Sequence, residues 1–162
     1  KMYAIEHWGV EPDIYTMAKG IASGMPLGAM VARKSIMTWP PGAHGNTFGG
    51  NPLSCVASLK TIELIQNSLM ENAAKMGDYA MEKLRSMQAE HPSIGQVRGK
   101  GLMIGVEIVL DREKKTPGAA LRNRIVDEAF HRGLLLLGCG VNTLRFSPAL
   151  TITQAIMDEA LA

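Results

Sequence analysis

An α/β fold is the class this sequence predicts, and three observations predict it. Short apolar runs of strand length, bounded by Gly or Pro, occur near the start of the chain and again near its end. Two long segments in the middle repeat apolar residues every three to four positions, the period of a helix. Beyond them strand-like and helix-like segments alternate. The 162 residues suffice for one ordinary domain or one and a half small ones.

Taken in order, Ile14–Met17 and Leu27–Ala32 read as short buried strands in a Gly- and Pro-rich stretch. Asn51 is a good helix N-cap, and Pro52 suits the first helical position, where its missing N–H costs nothing. Leu53, Val56, Leu59, Ile62 and Ile65 then make an apolar stripe to about Gln66. A second helix follows, its buried face built from Leu69, Ala73, Met76, Ala80, Leu84 and Met87, and His91-Pro92 ends it. Leu102–Leu110 reads as a strand, and 111–118 as a charged turn with Arg112 to Lys115 in solvent. Ala119–His131 is an amphipathic helix closed by Gly133. Leu134–Leu137 and Thr143–Phe146 read as strands around a Gly138-Cys139-Gly140 turn, and Thr151-x-x-Gln154 as the capping box of a last helix. A composition change near residue 66 divides the chain into 1–66 and 67–162.

Composition excludes several function classes. Hydrophobic residues are 46% and charged residues 20%, too apolar for a disordered chain. No apolar run approaches the roughly 18 residues of a membrane helix, so no membrane partner is expected. A net charge of +2 and 5% aromatics are a poor match for a nucleic-acid binder. Cys55 and Cys139 form no disulfide framework, which points to a reducing, cytoplasmic setting. The four histidines show no metal-ligand spacing, and no metal is expected.

Three segments carry candidate chemistry. Lys19 stands between apolar residues and a turn with Gly20, Gly24 and Gly28. A lysine held partly out of water is a nucleophilic amine, able to form a Schiff base with a carbonyl. The bland reading is a surface lysine at a strand end. The segment from His44 to Pro52 is a polar glycine-rich loop feeding a helix N-terminus; its N–H groups and the Thr47 hydroxyl could meet an anion such as phosphate, or it is an ordinary capped loop. Arg145 is a lone arginine in the apolar strand before Ser147-Pro148. Buried unpaired it would be costly, so it meets a substrate carboxylate or phosphate, or a structural ion-pair partner, or else lies on an edge strand and points to water.

Together these segments resemble the class III pyridoxal-phosphate-dependent aminotransferases, most closely their 4-aminobutyrate branch. The resemblance rests on KMYAIEHWGVEPDIYTMAKGIASGMPLGAMVARKSIM, PPGAHGNTFGGNPLSCVASLKTIELI, VRGKGLMIGVEI and RGLLLLGCGVNTLRFSPALTIT, in that order along the whole chain. It implies the fold type I architecture, with 1–66 as the tail of the large cofactor-binding domain and 67–162 as the small C-terminal domain. It implies that Lys19 binds pyridoxal phosphate covalently and moves the proton, that Thr47 holds the cofactor phosphate, usually across a dimer interface, and that Arg145 holds a substrate carboxylate. The chemistry implied is amino transfer from 4-aminobutyrate or a similar ω-amino acid to a 2-oxo acid such as 2-oxoglutarate, in a homodimer or higher oligomer. Racemisation or epimerisation of amino acids by relatives with the same lysine is the alternative. The family's acid for the pyridine nitrogen, its Gly/Ser-rich phosphate loop and its ring-stacking aromatic have no counterpart here. The chain is therefore expected to be a C-terminal fragment, inactive by itself and prone to associate through uncovered apolar faces.

Overall fold

Ile14–Met17 (β1) pairs antiparallel with Ala29–Ala32 (β2), Ile14 opposite Ala32 and Met17 opposite Ala29. In the computed structural model, which describes all residues from Lys1 to Ala162, this ribbon belongs to the first of two units, Lys1–Met70 and Glu71–Ala162. The second strand starts two residues later than the sequence suggests, at Ala29. Pro26 has no N–H to give a ladder, and Gly28 runs close to the Met17 carbonyl. The ribbon's outer end is tied by Arg33, which pairs with Glu11 at 3.1 Å and Asp13 at 2.8 Å.

Helix α1, Pro52–Leu64, starts as its sequence predicts: Asn51 Oδ1 accepts from Ser54 N at 3.1 Å, with Pro52 in the first turn. Its packing is the reverse of the expectation. Leu53, Val56 and Leu59 are 65%, 63% and 69% exposed, while Ser54 and Ser58 are buried. The reason lies in what the helix packs on, a backbone turn at Lys19–Ala22. Ser54, Ser58 and Thr61 share one helix face at i, i+4, i+7. Small side chains let a backbone come close, and Thr61 Oγ1 meets Ser23 Oγ at 2.9 Å. The helical run does not break after Gln66. It passes through a π turn, Ile65–Leu69, into α2, Met70–Glu90. No Gly or Pro interrupts Ile-Gln-Asn-Ser-Leu, so the wide turn keeps the backbone helical where a break was expected.

The second unit is a five-stranded antiparallel sheet with α2, α3 and α4. Its strands are β3 (Ile94–Lys100), β4 (Met103–Asp111), β5 (Thr116–Pro117), β6 (Leu137–Cys139) and β7 (Thr143–Phe146), in the order β3-β4-β7-β6 with β5 beside β4. Helix α3 is Ala119–His131 and α4 is Gln154–Leu161. Val97, Ile104, Val106, Ile108 and Leu144 bury one face of the sheet with Met76, Ala80 and Leu84 of α2 and Met157 of α4; Leu121 and Ile125 of α3 pack on this core.

Several expectations for this unit are corrected. β3 was not foreseen, because glycines and cations hide its alternation. Its glycines are required by close approach: a Cβ at Gly99 would lie 2.6 Å from the Met103 carbonyl oxygen. Arg112 does not stand free in solvent. Its Nη2 donates to the carbonyls of Gln88 at 2.7 Å and His91 at 2.8 Å, satisfying orphan carbonyls at the end of α2. The expected turn at 111–118 contains β5. β6 is Leu137–Cys139, not Leu134–Leu137, since the register sets Leu137 against Arg145 and Cys139 against Thr143. A Cβ at Gly138 would meet the tip of the Arg122 side chain, which would have to move aside. The last helix is capped by Thr153, whose Oγ1 accepts from Ile156 N at 3.4 Å, instead of Thr151. Gln154 bonds the Tyr79 hydroxyl at 3.3 Å instead of reaching back to a cap.

Candidate active site

Lys19 opens the turn that follows β1. Its φ is +54°, a left-handed backbone that non-glycine residues rarely adopt, and Ser23 at the other end has φ +47°. The side chain is exposed, where the sequence suggests apolar surroundings. Its neighbours account for this: Ala22 turns inward and is fully buried, and Met17 takes a contact from the Tyr3 hydroxyl at 3.2 Å. The acids of the first unit all have other partners. Glu6 accepts from Tyr3 N at 2.8 Å, Glu11 and Asp13 hold Arg33, and Glu63 holds Lys60 at 2.6 Å. The fold therefore makes no use of the Lys19 ammonium, yet holds its backbone in a strained conformation.

Thr47 begins a turn in the loop before α1, exposed and with its hydroxyl unbonded. The loop is shaped by Asn46, which folds over Gly49, and by His44, whose ring stacks on Trp39 at 5.1 Å. A concavity of about 380 Å³ lies between ribbon and loop, bounded by Met17, Met30, His44, Asn46 and Phe48. The residues flanking Thr47 and the end of the strand leading to Lys19 meet there, although neither candidate lines it and no hydrogen bond joins them. On β1, burial raises the Tyr15 phenol above its ordinary pKa, helped by Tyr3 and Glu6.

Arg145 lies in the second unit, on β7, between Gly105 of β4 and Leu137 of β6. It is half-buried, and its Nε is buried with no hydrogen-bond partner. The unit's ion pairs, Lys83–Asp158 and Lys114–Asp111, leave it out. No structural ion pair holds Arg145, and a carboxylate brought by a ligand would satisfy the orphaned donor.

Known proteins bear on this arrangement. The pattern of the family described as aminotransferase class-III matches residues 1–162. A leucine/methionine racemase of Thermococcus litoralis is 45% identical over 99% of this chain and 37% of its own length. An acetylornithine aminotransferase of Caldanaerobacter subterraneus is 40% identical over 99% and 39%. The 4-aminobutyrate aminotransferase of Escherichia coli is 39% identical over 99% and 38%. An amine transaminase from an uncultivated Pseudomonas species, solved in its PLP-bound form, superposes with a TM-score of 0.84 at 35% identity, over 96% of this chain and 38% of that one. The chain thus spans under two-fifths of the length of these relatives. A match that runs from the first residue to the last, through the Lys19 turn, the Thr47 loop and the Arg145 strand alike, makes this chain a member of the class-III aminotransferases.

Proposed function

We propose that this chain is part of a pyridoxal-phosphate-dependent aminotransferase that moves an amino group from 4-aminobutyrate or a similar ω-amino acid to a 2-oxo acid such as 2-oxoglutarate. Residues 1–66 serve in this reading as the tail of the large cofactor-binding domain, and residues 67–162 as the small C-terminal domain. The observation that carries the reading is Lys19: a free amine, on a left-handed backbone, in a unit whose acids are all otherwise engaged.

The residues present fit the cofactor at two atoms, Lys19 Nζ and Thr47 Oγ1, neither of which the fold uses. When bound, pyridoxal phosphate supplies an electron sink for the bonds of the amino-bearing carbon. Lys19 Nζ would hold it covalently and, as a free amine, would be the base for a proton of the substrate's amino-bearing carbon. Thr47 Oγ1 donates a hydrogen bond to the phosphate. Arg145 holds a substrate carboxylate through its guanidinium. A cytoplasmic homodimer completes the reading, supported by two unpaired cysteines and by the apolar residues exposed on α1.

A second reading has a specific observation behind it, the 45% identity to a leucine/methionine racemase. Racemisation uses the same lysine but returns a proton to the carbon it left. The full-length protein decides between them. Glutamate formed from 4-aminobutyrate and 2-oxoglutarate supports amino transfer. Loss of optical activity from one enantiomer of leucine or methionine, with no 2-oxo acid consumed, supports the racemase.

A further inference from the structure

Arg145 sits on a short strand. β7 has four residues and its outer neighbour β6 three, so few rungs hold the register. Side chains alternate faces along a strand, so a slip of one residue exchanges the faces of all of them. Leu144 packs in the core in a row with Val97 and Val106, and Arg145 projects on the other side. A one-residue slip of β7 on β4 would turn the Arg145 guanidinium into that core and Leu144 out of it.

Asn142, the residue before β7, is placed to exclude the slip. It is 7% exposed. The ladder pairs Val106 with Leu144 and Glu107 with Thr143, so Asn142 comes next, opposite Ile108. Ile108 N donates to the Asn142 carbonyl at 2.8 Å. The return bond of that rung is made by the side chain: Asn142 Nδ2 donates to the Ile108 carbonyl at 2.6 Å. The same oxygen takes Gly118 N at 2.9 Å, which fills both its lone pairs. Successive N–H and C=O groups of a strand point to opposite edges, and Val109 N bonds Ser93 O on the far edge at 2.8 Å. A slip of one residue therefore leaves the Asn142 amide buried with no carbonyl in front of it, at the cost of an unpaired polar group. Arg122 of α3 holds the chain on both sides of Asn142: Nη1 donates to the Thr143 carbonyl at 3.2 Å and Nη2 to the Val141 carbonyl at 3.3 Å.

We propose that Asn142 is a positioning residue for Arg145: its side-chain amide locks the register of β7 on β4 and so keeps the Arg145 guanidinium on the face away from the core. Its bearing on the reaction rests on the reading of Arg145 as the group that holds a substrate carboxylate.

The test uses the full-length protein as wild type, Asn142→Ala, Asn142→Ser and Arg145→Ala. Hydrogen exchange followed by mass reads the strand without substrate. Asn142→Ala speeds exchange about ten-fold or more on peptides covering 141–146, the scale of an unsatisfied buried group, and leaves 94–100 unchanged. The donor half-reaction, followed by cofactor absorbance with no acceptor present, reads the consequence. In Asn142→Ala the half-saturating concentration of 4-aminobutyrate rises several-fold at a near-unchanged maximal rate, while butylamine reacts as it does with wild type. Asn142→Ser, which keeps a shorter donor, falls between the two, and it carries the same readouts if the alanine variant does not fold. A role in stability alone lowers the amount of active protein and scales both amines together; that result overturns the lock, and so does exchange on 141–146 unchanged from wild type. An Arg145→Ala variant that spares 4-aminobutyrate overturns the carboxylate reading, and a wild type inert to both amines overturns amino transfer; in either case the exchange result alone decides the lock.

Discussion

Lys19 and Arg145 are two of the side chains that the fold leaves without a partner, and each makes a separate prediction. Lys19→Ala in the full-length protein abolishes amino transfer and the visible absorbance of bound cofactor. Lys19→Arg fares no better, because a guanidinium stays protonated and does not condense with an aldehyde. Spectra and glutamate assays of the two variants check this. Arg145→Ala keeps the cofactor absorbance and weakens carboxylate substrates by several-fold to a few hundred-fold, on the scale of about 1.5–3 kcal/mol for a charged hydrogen bond. Substrate amines lacking a carboxylate serve as the control. If they lose as much activity as 4-aminobutyrate, Arg145 acts structurally. Both residues stand out in the sequence as candidates because a lysine among glycines and an arginine in an apolar strand are chemically out of place. The exposure of Lys19 was not, since the direction of one side chain depends on which neighbour turns inward, here Ala22.

Among the elements, the tightest junction is where α2 crosses the β3–β4 hairpin. Gly101 has φ +52°, and a Cβ on the buried Gly77 would run into its carbonyl. Gly77→Ala is expected to destabilise the second unit by about 1–3 kcal/mol, as overpacking of backbone against backbone does, measured by urea unfolding. At the other junction, Asp158 of α4 accepts from Tyr79 at 2.5 Å and pairs with Lys83 at 2.6 Å, both on α2. The hydrogen bond from Lys83, then that from Tyr79, holds the Asp158 carboxyl below its ordinary 3.8. The bond to Asp158, then that to Tyr79, raises Lys83 above its ordinary 10.5. The signs follow from linkage. The Asp158 contribution is full above the ordinary carboxylate value and disappears as pH falls through its lower folded one. The Lys83 contribution is full below the ordinary amine value and disappears as pH rises through its higher folded one. Thermal melting across pH should therefore show an acid-side decline that Asp158→Asn makes smaller. Helices α2 and α3 were readable because their apolar period matches the face they bury. Helix α1 was misread for the same reason. Its leucine stripe has the right period, but the surface it meets is a backbone turn that only Ser54 and Ser58 can approach. The sheet was half readable: β4 and β7 are apolar runs, whereas β3 consists of glycines and cations whose role is close approach and an open face.

For the whole molecule, the leucine stripe of α1 has the larger consequence. Leu53, Val56 and Leu59 lie in water on one unit, and Val31 of the ribbon is exposed as well. Apolar surface of this kind drives association, so the 162-residue chain by itself should sediment as oligomers or aggregates; Leu53→Lys with Leu59→Lys should shift it toward monomer in analytical ultracentrifugation. The fold class was legible from alternation and length, and the family from the order of four segments along the chain, because that order records the spacing of a lysine, a threonine and an arginine over one scaffold. The amino donor was not, since the relatives that match equally far along the chain include a racemase and aminotransferases with different substrates. The central claim is that Lys19 is the lysine that carries the cofactor. Borohydride reduction of the full-length protein with pyridoxal phosphate, followed by digestion and mass mapping, tests it most directly. The account predicts a single pyridoxyl mass on the peptide that contains Lys19, absent from Lys19→Ala. A stoichiometric label on another lysine, or a label that persists in Lys19→Ala, would contradict it.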